Sequence, residues 1–297
     1  MTLYGLDVSS YNPNLPIATL KSQGYSFLSA RCVIGNVKDT QYPIFRDAAK
    51  KADLLFAAYV FIHTAISPST LATLTRAYIG DPTIPIMIDW ENDGTSVPSI
   101  ADALHTYDAL KAAGLNPVSL YTYKGYWSAR GEPNLTVRPW KLIGADFALN
   151  PSGYASAIYP GDNSPRWQGY GGLPKSILQF GSKIKISGYS GYLDGDAYKG
   201  SLAQLTVSGL FHDWTPPIPP APAPKGNAAM ILIAPDKSQV PAGTPWPGIH
   251  VWDGSSKPVH VTSHNDHVAF NTAGVLDAKP LSWEQWELIV NTFGVIN

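Results

Sequence analysis

Short apolar runs that end on polar or small residues recur along the first two-thirds of the chain, and they set its architecture. Eight of them, at 3–8, 27–34, 55–61, 84–90, 118–123, 141–147, 176–180 and 186–193, have the length and unbroken hydrophobicity of buried parallel strands. Helical periodicity falls between the early runs, at 17–22, 44–52, 68–78 and 100–113. The last of these sets Ala101, Leu104, Ala109 and Ala112 in a mostly helical rhythm and stops at Gly114. Strands alternating with helices predict parallel βα units. After Tyr123 the helical pattern fades, so the expectation is an α/β fold, an eight-stranded (β/α)-type barrel with an incomplete helical ring.

In such barrels the reactive groups sit at the C-terminal ends of the strands. The stretch Pro85-Ile86-Met87-Ile88-Asp89-Trp90-Glu91-Asn92-Asp93 closes a buried strand with two acids. Side chains alternate along a strand, so Asp89 and Glu91 share a face with Cα atoms roughly 6.5 Å apart. Burial and mutual repulsion then raise the pKa of one of them, leaving an acid beside a carboxylate, which is what glycosidic-bond cleavage needs. The competing reading is a strand running into an acidic turn, since Asn92-Asp93-Gly94 is turn-like. Asp7 ends the first predicted strand and Asp194 the eighth, with Asp196 two residues on. First and eighth strands are neighbours in a closed barrel, so these acids are expected around one mouth.

Composition narrows the partner. Charged residues make up 14% of the 297 residues against 44% hydrophobic, and the formal net charge is -1, which leaves no electrostatic footprint for nucleic acid or anionic lipid. Sixteen Tyr and nine Trp permit a carbohydrate site, because aromatic faces stack on sugar rings. Cys32 is the single cysteine, so disulfides within the chain and cysteine-based metal sites are excluded. No run of about 18 apolar residues predicts a membrane span. The opening residues lack a signal-peptide pattern, which implies synthesis in a cytoplasm.

Three segments together resemble the family 25 glycoside hydrolases, lysozymes of the Chalaropsis type that many bacteriophages use. Tyr4-Gly5-Leu6-Asp7-Val8-Ser9-Ser10 is similar to that family's opening motif, and Ile88-Asp89-Trp90-Glu91 to its central Asp-x-Glu. Gly191-Tyr192-Leu193-Asp194-Gly195-Asp196 resembles its closing segment. Weaker echoes are Tyr59-Val60-Phe61, Leu120-Tyr121-Thr122 and Leu178-Gln179-Phe180, and the likeness spans about residues 1–205. It implies a flattened barrel and an N-acetylmuramidase that cuts peptidoglycan with retention and without a cofactor. Carried over by position, Glu91 is the general acid and Asp89 holds the substrate's N-acetyl group, while Asp7 and Asp194 position substrate and tune the acid. Tyr59, Trp90, Tyr121 and Gln179 are candidate sugar contacts, with core packing the alternative for Trp90. Arg31 is expected to pair with one of the acids or to form a structural salt bridge. Three departures stand out. Val60 replaces a usual His, for which His63 is an imperfect substitute; Phe180 replaces Tyr; and Asp196 stands where Asn is common, adding a negative charge beside Asp194 within the substrate-contacting set.

Composition shifts at Asp213-Trp214-Thr215-Pro216-Pro217, where a proline-rich stretch reads as a stiff polyproline spacer. The expected organisation is a barrel over 1–212, a linker over 213–226 and a small α+β domain over 227–297. That domain carries predicted strands at 230–233, 250–252, 259–261 and 267–270. A closing helix is predicted at 283–293, with Ser282 as N-cap and Gln285 at the capping-box position. His260, His264 and His267 invite a metal reading, but no acidic second shell accompanies them. A docking module using Trp246, Trp252, Trp283 and Trp286 fits better. Its partner is either a cell-wall polymer, which makes the protein a soluble lysin acting at the bacterial wall, or a phage tail protein, which places the barrel in a virion tail. A barrel kept for carbohydrate binding without turnover is the third reading.

Overall fold

A computed structural model describes residues 2–147 and 149–214, together with the backbone of four short strands beyond them. The chain forms two compact units, Met1–Thr215 and Pro216–Asn297.

The first unit is a closed barrel. Its strands are β1 (Thr2–Val8), β2 (Tyr25–Ile34), β4 (Leu55–Phe61), β5 (Pro85–Asp89), β6 (Asn116–Tyr123), β7 (Lys141–Ala145), β8 (Lys175–Ile184) and β9 (Leu193–Lys199), while β3 (Val37–Lys38) is a two-residue partner of β2. The order β1-β9-β8-β7-β6-β5-β4-β2 is closed by a β1–β2 pairing. Every barrel pairing is parallel except the two made by β9, which runs antiparallel to both β8 and β1.

That exception corrects the expected eighth strand. The apolar run at 186–193 is the connection after β8, broken where Gly188 takes φ +80°, and the strand begins only at Leu193. Gly195 and Asp196, which fall beyond the predicted strand, lie within the observed one. Gly195 is required there because a Cβ would sit 2.3 Å from Ile184.

Helices α1 (Tyr42–Lys51), α2 (Pro68–Tyr78) and α3 (Ile100–Ala112) fall where periodicity places them. Ser67 caps α2, and Ser99 with Asp102 forms a capping box on α3. The predicted helix at 17–22 is replaced by two three-residue 3-10 turns, Ile17–Thr19 and Lys21–Gln23. Three short helices, α4 (Lys124–Ala129), α5 (Ala155–Ile158) and α6 (Leu202–Val207), are too brief to show a period and were not expected. No helix among the described residues is long and apolar enough to cross a membrane.

Alternation along the strands makes two cores. Leu6, Leu28, Val60, Ile88, Trp90 and Leu120 face the helical layer, while Phe27, Leu55, Met87, Ile143 and Ile177 fill the barrel. Leu205, Leu210 and Phe211, from the chain after β9, plug the lower end. His212 exchanges both backbone hydrogen bonds with Phe56 there. Trp214, which composition assigns to the linker, packs its ring on Phe56 and His212. With the floor packed in this way, the hollows described below open at the rim where the parallel strands end.

In the second unit, β10 (Ile231–Ile233), β11 (Ile249–Trp252), β12 (Val259–Val261) and β13 (Leu276–Asp277) form a sheet in the order β12-β11-β10-β13. The first three match predicted strands to within a residue. The predicted strand at 267–270, the helix at 283–293, most of the linker, and Trp246, Trp283, Trp286, His264 and His267 lie outside the described residues. For Trp252 and His260 only the backbone is described.

Candidate active site

Each acid is brought to the rim by backbone pairing. Asp89 ends β5, where its carbonyl accepts from the Ile62 N–H, and the Trp90 N–H donates to the Tyr121 carbonyl. Trp90 then turns outward. Its ring is fully buried, donates through Nε1 to the Pro98 carbonyl at 3.0 Å and meets Tyr126 edge-on. Trp90 is therefore a core residue and not a sugar contact; its burial is an anchor that returns Glu91 to the cleft. Asp93 Oδ1 accepts from the Thr95 N–H, the Thr95 hydroxyl and the Ser96 N–H. The stretch is thus an acid pair and an acidic turn at once.

Asp7, near the end of β1, lies in register with Asp194 at the start of β9. These two share a cleft of about 330 Å³ with Asp89 and Glu91. Tyr59, Tyr121, Gln179 and Arg31 also line it, as expected from their positions at strand ends. The Tyr121 hydroxyl donates to Gln179 Oε1 at 2.9 Å, and Gln179 Nε2 donates to Asp7 Oδ2 at 2.7 Å, so Gln179 orients an acid from the rear of the cleft. A second hollow of about 400 Å³ adjoins the first, with Glu91, Tyr121 and Phe147 common to both and Tyr123 and Lys124 on its wall. Glu91 therefore stands where the two meet.

Two further assignments change. The Arg31 guanidinium is committed to Asp39 at 2.9 Å and to the Ser10 hydroxyl, a structural ion pair that reaches the acids only as a longer-range pull on Asp89. Asp196 does not line the cleft; it lies below it, 4% exposed and hydrogen-bonded to Asp7. His63 turns to the 93–95 loop, 3.4 Å from the Thr95 hydroxyl and 3.9 Å from Asp93, and lines neither hollow.

Sequence reasoning missed Tyr11, Tyr123 and Phe147. Phe147 closes the predicted sixth strand and Tyr123 the fifth, so the strand-end rule reaches both. Tyr11 is 81% exposed, with Arg31 stacked 5.1 Å from its ring, and its only signal was an aromatic four residues after Asp7.

Burial dominates the electrostatics. It pushes the Asp7 carboxyl up to about 6, a rise tempered by hydrogen bonds from Gln179 and Asp196. Glu91 rises to about 7 through burial and then the charges of Asp7 and Asp93. Asp194 rises to about 8, again from burial first, then Asp7 and Glu91. Asp89 is held well above the carboxylate range by burial, Glu91 and Asp7, against the pull of Arg31, and its Oδ1 has no hydrogen-bond partner. At neutral pH the cleft therefore keeps several protons, and Asp7, which receives two hydrogen bonds, carries the charge.

A proton poised near neutrality beside an oriented carboxylate, at the open rim of a barrel and in a hollow of sugar size, defines a glycoside hydrolase. The chain belongs to the glycosyl hydrolases family 25, whose family model matches residues 6–170. Among solved structures it is similar to the muramidase from Trichobolus zukalii, at 23% identity and a TM-score of 0.56 over 70% of this chain and 99% of that one. It is similar also to the lysozyme from Streptomyces coelicolor, at 20% identity and a TM-score of 0.57 over 70% and 97%. The catalytic domain of endolysin ply40, from a Listeria monocytogenes bacteriophage, matches at 17% identity and a TM-score of 0.56 over 71% and 98%. At these identities the likeness is one of fold. No curated protein matches the chain.

Proposed function

We propose that the barrel is a peptidoglycan-cleaving N-acetylmuramidase, hydrolysing the bond between N-acetylmuramic acid and N-acetylglucosamine with retention of configuration. One observation carries this reading: Glu91, carried up to about 7, stands at the meeting point of two hollows and faces the ionised Asp7. Glu91 donates its proton to the glycosidic oxygen as the bond breaks. Asp7 supplies negative charge to the oxocarbenium-like centre. Asp89, buried with one oxygen unpartnered, holds the substrate's acetamido group, and Asp194 positions the sugar, while burial and the charges of Asp7 and Asp93 keep Glu91 protonated. In the first displacement the acetamido oxygen held by Asp89 bonds to the anomeric carbon as the leaving oxygen takes the Glu91 proton; in the second, water opens the ring so formed and gives its proton to Glu91, now acting as the base.

The matches to a bacterial lysozyme and to an endolysin catalytic domain support a role as a phage lysin, in which the unit beyond the barrel retains the enzyme on a wall polymer. The test is direct. Purified protein clears peptidoglycan in a gel, and the fragments released carry a muramic-acid reducing end. Glu91→Gln lowers turnover by about 10²- to 10⁴-fold while thermal unfolding is retained. Clearing that survives Glu91→Gln, or fragments ending in glucosamine, overturns the assignment.

A further inference from the structure

Asp196 is a buried acid that the mechanism above does not use. In the β9 register it stands opposite Gly5 on β1 and Gln179 on β8. Asp7 lies two residues along β1 from Gly5 and on the same face, so Asp196 reaches it from beneath the cleft. The two carboxyl groups are hydrogen-bonded. Two carboxylates cannot make such a bond, since each would only accept; one of them must carry the proton.

The surroundings decide which one. Asp7 already receives an N–H from Gln179 and borders the open cleft. Asp196 is buried, and its Oδ1 has no partner at all. The titratable groups bearing on Asp196 are Asp7 from β1 and Asp194 from its own strand, both acids; β8 presents the uncharged Gln179 amide. Beyond Asp7 lie Tyr59 of β4, Asp89 at the end of β5 and Glu91 just after it, none of them cationic, while Arg31 of β2 is held by Asp39. An ionised Asp196 would have no compensating cation among the described residues.

We propose that Asp196 is a positioning residue that works as a neutral carboxylic acid: it donates its proton to Asp7, and with Gln179 it fixes Asp7 as an oriented anion under the reacting sugar. Burial and the neighbouring acids hold the Asp196 carboxyl well above the carboxylate range, in keeping with this. The proton stays on Asp196 through turnover, so the residue adds no charge to the site. This rests on the catalytic reading of Asp7, but half of its test does not.

That half is thermal unfolding of the full chain and of Asp196→Asn between pH 4.5 and pH 8. The folded wild type keeps a proton that the unfolded chain releases near pH 4, so it loses stability as pH rises, and the amide variant escapes this. The Tm advantage of Asp196→Asn over wild type is expected to widen by at least about 5 °C across that range. A constant Tm difference means that Asp196 is ionised in the folded protein, and overturns the proposal even if the chain cuts no peptidoglycan. The second half is kinetic. Asp196→Asn, whose amide still donates, is expected to keep kcat/KM within about threefold. Asp196→Leu, which fills the space without a donor, loses roughly 10- to 100-fold, and the acid limb of its kcat/KM profile moves to higher pH because Asp7 has lost a donor. Equal losses in Asn and Leu with an unmoved acid limb overturn the positioning role. Should the Leu variant not fold, the Tm comparison still decides.

Discussion

Asp93→Asn isolates one contribution to the acid that breaks the bond. Three hydrogen bonds of the 93–96 turn go to Asp93 Oδ1, and an asparagine carbonyl accepts the same three. Only the charge on the other atom, 3.9 Å from His63, is lost. Glu91 stands at about 7 against an ordinary 4.5, a rise of about 2.5, with Asp93 the third cause after burial and Asp7. An equal share for each cause bounds the Asp93 part at about 0.8 unit. Coulomb's law gives a figure of the same order: at an illustrative separation of about 7 Å, two unit charges interact by about 0.6 kcal/mol in water. At about 1.4 kcal/mol per pH unit, the watery limit alone is worth about 0.5 unit. The alkaline limb of kcat/KM in Asp93→Asn is therefore expected to fall by about 0.5 to 0.8 unit at low salt, with the height of the profile changed by less than about threefold. Added salt lowers the wild-type limb toward that of the variant, because Asp93 faces solvent. The measurement is initial rate against pH on soluble peptidoglycan fragments. An alkaline limb that stays put or moves upward refutes the assignment of that limb to Glu91.

The wild-type profile itself is bell-shaped, with its optimum between about 6, where Asp7 ionises, and about 7, where Glu91 loses its proton; a plateau extending well above pH 8 contradicts this. The barrel's stability falls as pH rises from about 4 to 8, because folded Asp7, Glu91 and Asp194 keep protons that the unfolded chain releases. Counting only about one pH unit per group gives about 4 kcal/mol and a Tm loss of roughly 10 °C, read by thermal unfolding at each pH. Trp90→Ala removes a fully buried anchor and its bond to the Pro98 carbonyl. The expected cost is about 3–5 kcal/mol in denaturant unfolding, with any soluble fraction losing kcat as Glu91 is released. Gly5→Ala places a Cβ 2.0 Å from the Phe27 ring and is expected to lower stability by roughly 1–3 kcal/mol, since Phe27 is itself packed against Phe211 in the barrel floor.

Most of the barrel was legible because its parallel strands are buried on both faces and therefore spell unbroken apolar runs, as at Leu55–Phe61 and Pro85–Asp89. The acid pair was legible for the same reason: a strand end is visible in sequence, and alternation does the rest. What alternation left open was which side of the chain Trp90 would take at the rim. A large aromatic flanked by two acids reads equally as platform or anchor, and only the helical layer behind it, with Tyr126 and Pro98, makes it an anchor. Arg31 was ambiguous in the same way, because its partner Asp39 lies in the connection after β2 and is not marked by any periodicity.

Asp194 was placed at the correct rim by the wrong route, and the error explains Asp196. Had the eighth strand been parallel and ended at 193, Asp194 would be its last residue and Asp196 would lie farther out, in a loop open to substrate. Because β9 is antiparallel, it enters the barrel at the rim where the other strands leave it. Its second residue is Asp194, and its next residue on that face, Asp196, lies one step deeper rather than one step out. Reversing the direction of a single strand therefore exchanges a solvated acid for a buried one beneath Asp7. Composition and spacing are identical in the two cases, so nothing in the residue pattern distinguishes them. Only the pairing of Gly5 with Asp196 does.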